Sequence, residues 1–227
     1  SCFVLNNPLD EVISGEIQCR GLGMAVDVFD EEGNSVTDTP GELVCTKPFP
    51  SMPIMFWNDN DGKKYQEAYF DYYPNVWRHG DWTKLTRRGT LVIFGRSDAT
   101  LNPGGVRIGT AEIYKVVESF EEILESIVIG QEWEDDIRIV LFVKLIEKIS
   151  LDEKLKTEIK NKLRQLVSPR HVPAKIISVA DIPRTRSGKI TELAVRDIIH
   201  GKKIKNIEAL SNPEALSLFK DLSELNN

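Results

Sequence analysis

A chain of 227 residues, 41% hydrophobic and 28% charged with a net charge of −6, has the composition of an ordinary soluble protein of one or two domains. It holds no apolar run as long as a membrane span, and its basic residues are not interleaved with aromatic ones. Neither a membrane nor a nucleic acid is therefore expected as a partner. The three cysteines (Cys2, Cys19, Cys45) are odd in number and far apart, and the three histidines (His79, His171, His200) form no metal-binding pair. No metal site is expected, and the thiols read as reduced side chains of a cytoplasmic protein. The start, Ser-Cys-Phe-Val-Leu-Asn-Asn-Pro, lacks both a leader pattern and an initiator Met. It reads as cut from something longer.

Residues 1–95 are expected to form short strands and turns. Glu16–Cys19, Met24–Phe29, Glu42–Thr46 and Leu91–Phe94 alternate or run apolar, and Asp30–Asn34 is turn-like. Pro48, Pro50 and Pro53 break any element there, and Gly89 marks the turn before Leu91. This region predicts a β-rich unit in the form of a small distorted barrel.

Residues 96–227 predict a compact α+β domain. Thr110–Ser119 is helix-like, and Ser126–Ile129 and Ile137–Val143 are strand-like. Ser150–Leu166 is a helix with Ser150 and Glu153 as its capping box and Leu151, Leu155, Ile159, Leu163 and Leu166 along one face. Pro169 closes it. A strand at Lys175–Val179, a Ser-Gly-Lys turn and a helix from Glu192 to about His200 follow. The stripe Leu216, Phe219, Leu222 and Leu225 predicts a last amphipathic helix over Asn212–Leu225, packed on the domain.

Charge divides along the chain. Residues 1–95 carry 8 Lys and Arg against 14 Asp and Glu, whereas residues 160–205 carry 12 against 3. The basic stretch contains Lys189 in Pro183-Arg184-Thr185-Arg186-Ser187-Gly188-Lys189. A lysine on a short turn is a positioned charge that can stabilise a developing oxyanion, and a basic surround attracts a phosphate-bearing ligand. A solvated surface turn is the competing reading. Two nucleotide-binding motifs fail. A P-loop needs Gly at position 183 and Ser or Thr at 190, where Pro183 and Ile190 stand. A dinucleotide fingerprint on Gly21-Leu22-Gly23 needs Gly where Val26 stands.

Three motifs occur in order: Trp77-Arg78-His79-Gly80-Asp81; Gly95-Arg96-Ser97-Asp98 with Gly105-Val106-Arg107-Ile108 and Glu112-Ile113; and Pro183 to Lys189. Together they resemble the carboxy-terminal part of the adenylate-forming acyl-CoA synthetases. The strings at 16–33, 95–114 and 185–206 resemble the branch of that family that activates acetoacetate. His79 departs from the Thr usual before Gly-Asp, and Thr191-Glu192 departs from a basic pair. The resemblance implies that residues 1–95 end a large AMP-binding domain whose phosphate loop and acyl pocket lie upstream. Residues 96–227 would be a mobile small domain.

The same resemblance assigns roles. Lys189 would be the adenylation lysine. Asp81 would accept hydrogen bonds from the ribose of AMP, with a plain turn aspartate as the alternative. Arg96 and Arg107 would serve the nucleotide, Arg96 competing with a surface ion pair. Asp98 would be the hinge. Gly104, Gly105 and Arg164 would face CoA, against an ordinary turn and a helix-surface arginine. Glu112 at a helix start suits the dipole equally well. The substrates implied are ATP with Mg²⁺, acetoacetate and CoA, and the missing upstream portion is the implied partner. Two other readings stay open: a non-catalytic or partner-binding fragment, and part of an acetyl- or propionyl-activating relative.

Overall fold

The computed structural model describes residues 1–204 and 207–226, so the last two positions of the string at 185–206 lie outside the described residues. The chain divides into two compact units, Ser1–Asp98 and Ala99–Asn227.

In the first unit a short pair, β1 (Val4–Leu5) with β2 (Cys19–Arg20), accompanies a four-stranded antiparallel sheet. Its strands β3 (Val26–Phe29), β4 (Pro40–Cys45), β5 (Trp77–Leu85) and β6 (Leu91–Arg96) are neighbours in that order. One helix, α1 (Lys63–Tyr69), precedes β5. Phe3, Val26, Val28, Leu43, Phe49, Trp77 and Leu91 form the core. The expected barrel is an open sheet instead. Closing it would require β3 to pair with β6, but the outer edge of β6 is met at Leu91 by Ile17. Four strands also leave no interior that side chains could fill. The strand expected at Glu16–Cys19 reduces to that bridge plus β2.

Periodicity does not mark strand β5, and Asp81 lies inside it rather than at a strand end. Its run Trp-Arg-His-Gly-Asp-Trp-Thr-Lys-Leu lacks clean alternation because the register slips on both sides of Gly80 and Asp81. One shift lies between Glu42 and Val44 and another between Trp82 and Thr83. A bulge of this kind re-aims the side chains around it.

The second unit is built on β7 (Ile123–Trp133), β8 (Asp136–Leu145) and β9 (Lys175–Ser178). Strands β7 and β8 form a long antiparallel hairpin, and β9 joins β8 in parallel. Between β8 and β9 the chain crosses over through α3 (Glu153–Leu166), as a parallel pairing requires. Helix α3 packs beside α2 (Thr110–Val117) on one face of the sheet, around Ile113, Ile139, Leu141, Ile159 and Leu163. Helix α4 (Glu192–Ile199) and the tail cover the other face, around Ile127, Val140, Phe142, Val195 and Phe219.

Three local expectations are corrected. The cap of α3 is Asp152, whose side chain accepts from the Leu155 amide at 2.8 Å, not Ser150. Asp152 has the extended backbone a cap needs, and Ser150 lies outside the helix. Leu166 is 66% exposed, because the buried stripe ends at Leu163. The tail is two 3₁₀ segments, Pro213–Phe219 and Ser223–Leu225, not one α-helix. Lys220 is extended and Asp221 has a φ of 52°, which breaks the run. The tail still buries its apolar side. Phe219 is fully buried and meets the Phe142 ring edge-on at 4.9 Å.

Truncating that anchor, Phe219→Ala, is expected to destabilise the second unit by about 3–5 kcal/mol. Asp152→Ala should cost about 1 kcal/mol. Urea unfolding followed by circular dichroism reads both.

Candidate functional site

In the first unit the Gly80 bulge gathers several charged groups. Gly80 has a φ of +86° and donates its N–H to the Glu42 carboxylate at 2.8 Å. Glu42 is buried, 4% exposed, and pairs with Arg78 at 3.1 Å. It thus ties the bulge to β4. Beyond Gly80, Asp81 lies opposite Arg96 across the β5–β6 pair. The Arg96 guanidinium grips Asp98 through Nε and Nη2 at 3.3 and 3.2 Å, donates from Nη1 to the His79 carbonyl at 3.3 Å, and stands 3.8 Å from Asp81. Burial works against its charge, but the Asp98 hydrogen bond and the charges of Asp98, Asp81 and Glu42 outweigh it and raise its pKa. Ser97 closes the turn by donating its N–H to the Gly80 carbonyl at 3.0 Å.

His79 fills the place beside Asp81. Its Nε2 lies 3.3 Å from Oδ2 of Asp81 and its ring lies 4.1 Å from that of Phe3. Burial pulls its pKa below the usual 6.5, with Arg96 pulling the same way and Asp81 opposing. A cleft of about 420 Å³ opens here, walled by Tyr69, Trp77, Gly80, Arg96, Ser97 and Asp98, with Tyr69 stacked on Trp77 at 3.6 Å. That volume suits a small ligand. The three residues singled out in this unit, Asp81, Arg96 and Asp98, therefore come together. Glu42, Arg78 and Tyr69 had been missed. A lone carboxylate inside the apolar strand Gly-Glu-Leu-Val-Cys was the available signal for Glu42, since a buried charge must be paired.

In the second unit the Leu101–Ile108 bridge closes a loop over Asn102–Arg107. Gly104 and Gly105 have φ of 58° and 75°, and the Gly104 N–H donates to both oxygens of Asp136 at 2.9 and 3.1 Å. Hydrogen bonds from the Ile137 and Gly104 amides lower the Asp136 pKa. Arg170 Nη1 lies 3.8 Å from where a Cβ on Gly104 would sit, so a cation that had not been singled out flanks this loop. Arg107 is exposed on the same loop. Arg164 is exposed in the last turn of α3 and reaches Asn161 at 3.4 Å. Glu112, in the first turn of α2, binds His171 Nε2 at 3.2 Å.

Lys189 ends a tight turn. Arg184 bridges Ile190, the Thr185 N–H donates to the Lys189 carbonyl at 2.8 Å, and the Lys189 N–H donates to Thr185 Oγ1 at 3.1 Å. Gly188 has a φ of +82°, a conformation that suits glycine. The side chain of Lys189 is exposed. Among the described residues no three His, Cys, Asp or Glu side chains converge as a metal-binding group, and no helix is long and apolar enough to cross a membrane.

Residues 112–189, which include the α2 start and the lysine turn, match the family described as AMP-binding enzyme C-terminal domain. The acetoacetyl-coenzyme A synthetase of Rhizobium meliloti (strain 1021) is 65% identical over 225 residues, covering 99% of this chain and 35% of that protein. The chain is homologous to the carboxy-terminal portion of the acetoacetyl-CoA synthetases. The Xenopus tropicalis acetoacetyl-CoA synthetase is 47% identical over 100% of this chain and 34% of its own length. The solved acetoacetyl-CoA synthetase of Streptomyces lividans superposes with a TM-score of 0.93 at 45% identity, over 100% of this chain and 35% of that one. The chain thus spans about a third of the length of the relatives it matches. Acetoacetyl-CoA synthetases are adenylate-forming acid–thiol ligases.

Two outcomes test the Gly80 cluster. Since the folded His79 pKa lies below 6.5, the unfolded chain takes up that proton first. The stability His79 contributes is complete above pH 6.5 and is lost as pH falls through the lower folded value. An NMR titration should place its midpoint below 6.5, and Asp81→Asn should lower it further. A Cβ on Gly80 would sit 2.5 Å from Arg96 Nη2 in a backbone unfavourable to other residues. Gly80→Ala should cost about 1–3 kcal/mol in denaturant unfolding.

Proposed function

We propose that this chain is the carboxy-terminal part of an acetoacetate–CoA ligase. The whole enzyme would join acetoacetate to ATP, bound with its Mg²⁺, and then pass the acyl group to CoA. The 65% identity to the Rhizobium meliloti protein carries this reading, and the exposed lysine on a braced turn supports it. Residues 1–95 would complete the large AMP-binding domain and residues 96–227 would be the mobile domain. The rest of the enzyme would be the chain's structural partner. A cytoplasmic location belongs to the same reading and fits three free cysteines.

In the first step a carboxylate oxygen of acetoacetate attacks the α-phosphorus of ATP and pyrophosphate leaves. Negative charge grows on the phosphoryl oxygens and the leaving pyrophosphate as it drains from the carboxylate being joined. The Lys189 ammonium, set between the carboxylate and the α-phosphate, would stabilise that charge where it develops. Asp81 accepts hydrogen bonds from the ribose hydroxyls, with His79 holding its second oxygen. Arg96 holds Asp98 through Nε and Nη2, so a nucleotide drawing on that edge of its guanidinium would compete with Asp98. Nucleotide binding and the freedom of the Asp98 hinge are thereby coupled. Arg107 would add a further cation toward the nucleotide.

In the second step the CoA thiol attacks the acyl carbonyl and AMP leaves. Gly104 and Gly105 would line the path of the pantetheine arm, where the lack of side chains permits close approach. Arg164 would meet the CoA phosphates, and Arg170 beside Gly104 is placed for the same task.

The test joins this chain to the upstream two thirds of the Rhizobium meliloti relative and follows the two half-reactions separately. Lys189→Ala should lower pyrophosphate exchange dependent on acetoacetate by about 10²-fold or more. Transfer from preformed acetoacetyl-adenylate to CoA should persist. Equal loss of both half-reactions, or no exchange in the parent fusion, would overturn the reading.

A further inference from the structure

The lysine turn is closed by its own hydrogen bonds and a single bridge, Arg184 with Ile190. The tail adds a second set from outside it. Thr185 bridges Leu210, the Arg186 N–H donates to the Ala209 carbonyl at 3.0 Å, and the Ser211 N–H donates to the Arg184 carbonyl at 2.8 Å. At the centre of this seam stands Asn212. Its Oδ1 accepts from the Arg184 N–H at 2.8 Å, and its Nδ2 donates to Asp181 Oδ2 at 2.6 Å and to the Ile182 carbonyl at 3.0 Å. One side chain thus fixes three points of the segment leading into the turn. Asp181 is itself held charged, first by Lys144 at 2.7 Å and then by Asn212.

Arg184 carries the constraint forward. With its backbone held by Asn212 and Ser211, its guanidinium donates to the Gly188 carbonyl at 2.7 Å and pairs with Glu125 of β7 at 3.1 Å. The Gly188 carbonyl belongs to the peptide that leads directly into Lys189. We propose that Asn212 is a positioning residue for Lys189, acting through Arg184 to hold the turn in the shape that presents the ammonium. That this matters for adenylation rests on the ligase reading above. The bracing itself does not. The chemistry needs such a brace because a lysine side chain is flexible, and a displacement of about 1 Å at a reacting centre can cost on the order of 10²-fold in rate.

Hydrogen exchange on the 227-residue chain separates the two claims. In Asn212→Ala, the amides of Thr185, Gly188 and Lys189 are expected to exchange about tenfold faster or more, with the β7–β8 amides unchanged. If Arg184 alone speeds up, Asn212 serves only its own contacts and the proposal is overturned. Should Asn212→Ala also lose β7–β8 protection, Asn212→Ser, which keeps one acceptor for the Arg184 N–H, is measured against the same criterion. In the fusion with the Rhizobium meliloti upstream portion, Asn212→Ala should lower kcat of adenylation about 10-fold or more. The KM for ATP and the transfer half-reaction should change little. Unchanged kcat despite a loosened turn overturns the positioning role. A parent fusion without adenylation, combined with a loosened turn in the variant, sinks the ligase reading and leaves the brace standing.

Discussion

Strand β8 is apolar on both faces, and much of the second unit follows from that. Ile139, Leu141 and Val143 face one way and Val140 and Phe142 the other, and all five are buried. A strand of this kind cannot leave either face to water, so two covering layers are obligatory. Helices α2 and α3 provide one. On the other face α4 alone is short, at eight residues, and the tail completes the cover with Phe219 against Phe142. Burying a side chain of that size is worth roughly 1.5–3 kcal/mol, enough to fix where the tail lies. Once it lies there, residues 209–212 run beside the lysine turn. The brace on Lys189 is thus a by-product of covering the sheet.

The first unit solves a different problem. A glycine at positive φ followed by an aspartate makes a sharp bulge that nothing apolar would hold. Glu42 holds it from inside, at the cost of burying a carboxylate that Arg78 and the Gly80 N–H must satisfy. The arrangement leaves Arg96 and Asp98 on the wall of the cleft, with Asp81 beside Arg96. Arg96 then has two claimants, a carboxylate beside it in sequence and any anion entering the cleft.

Periodicity found the elements that bury a clean stripe. Strand β8 announces itself by the apolar, largely β-branched run Ile139–Val143, and α3 by the spacing of Leu155, Ile159 and Leu163. Strand β5 was hidden because a Gly, a His and an Asp interrupt it, and those interruptions are the site. The motif residues Asp81, Arg96 and Asp98 were marked by the family resemblance, and Lys189 by its turn as well. Their supports were not. Glu42 lies 38 positions from Gly80 and Asn212 lies 28 from Arg184, and no local pattern marks a pairing at that distance. The tail showed its apolar spacing correctly but not its helix type, because the break at Lys220 and Asp221 carries neither Gly nor Pro.

The seam between Arg184 and Asn212 also has an order in time. A chain made from its amino terminus at roughly 5–20 residues per second produces Lys189 first and Asn212 some 23 residues later, a gap of about 1–5 s. During that interval the sheet can already pair β7 with β8, while the lysine turn lacks its second side. A nascent molecule therefore carries an unbraced lysine turn until residues 209–212 emerge and dock. The brace is thus made only after the turn that it holds.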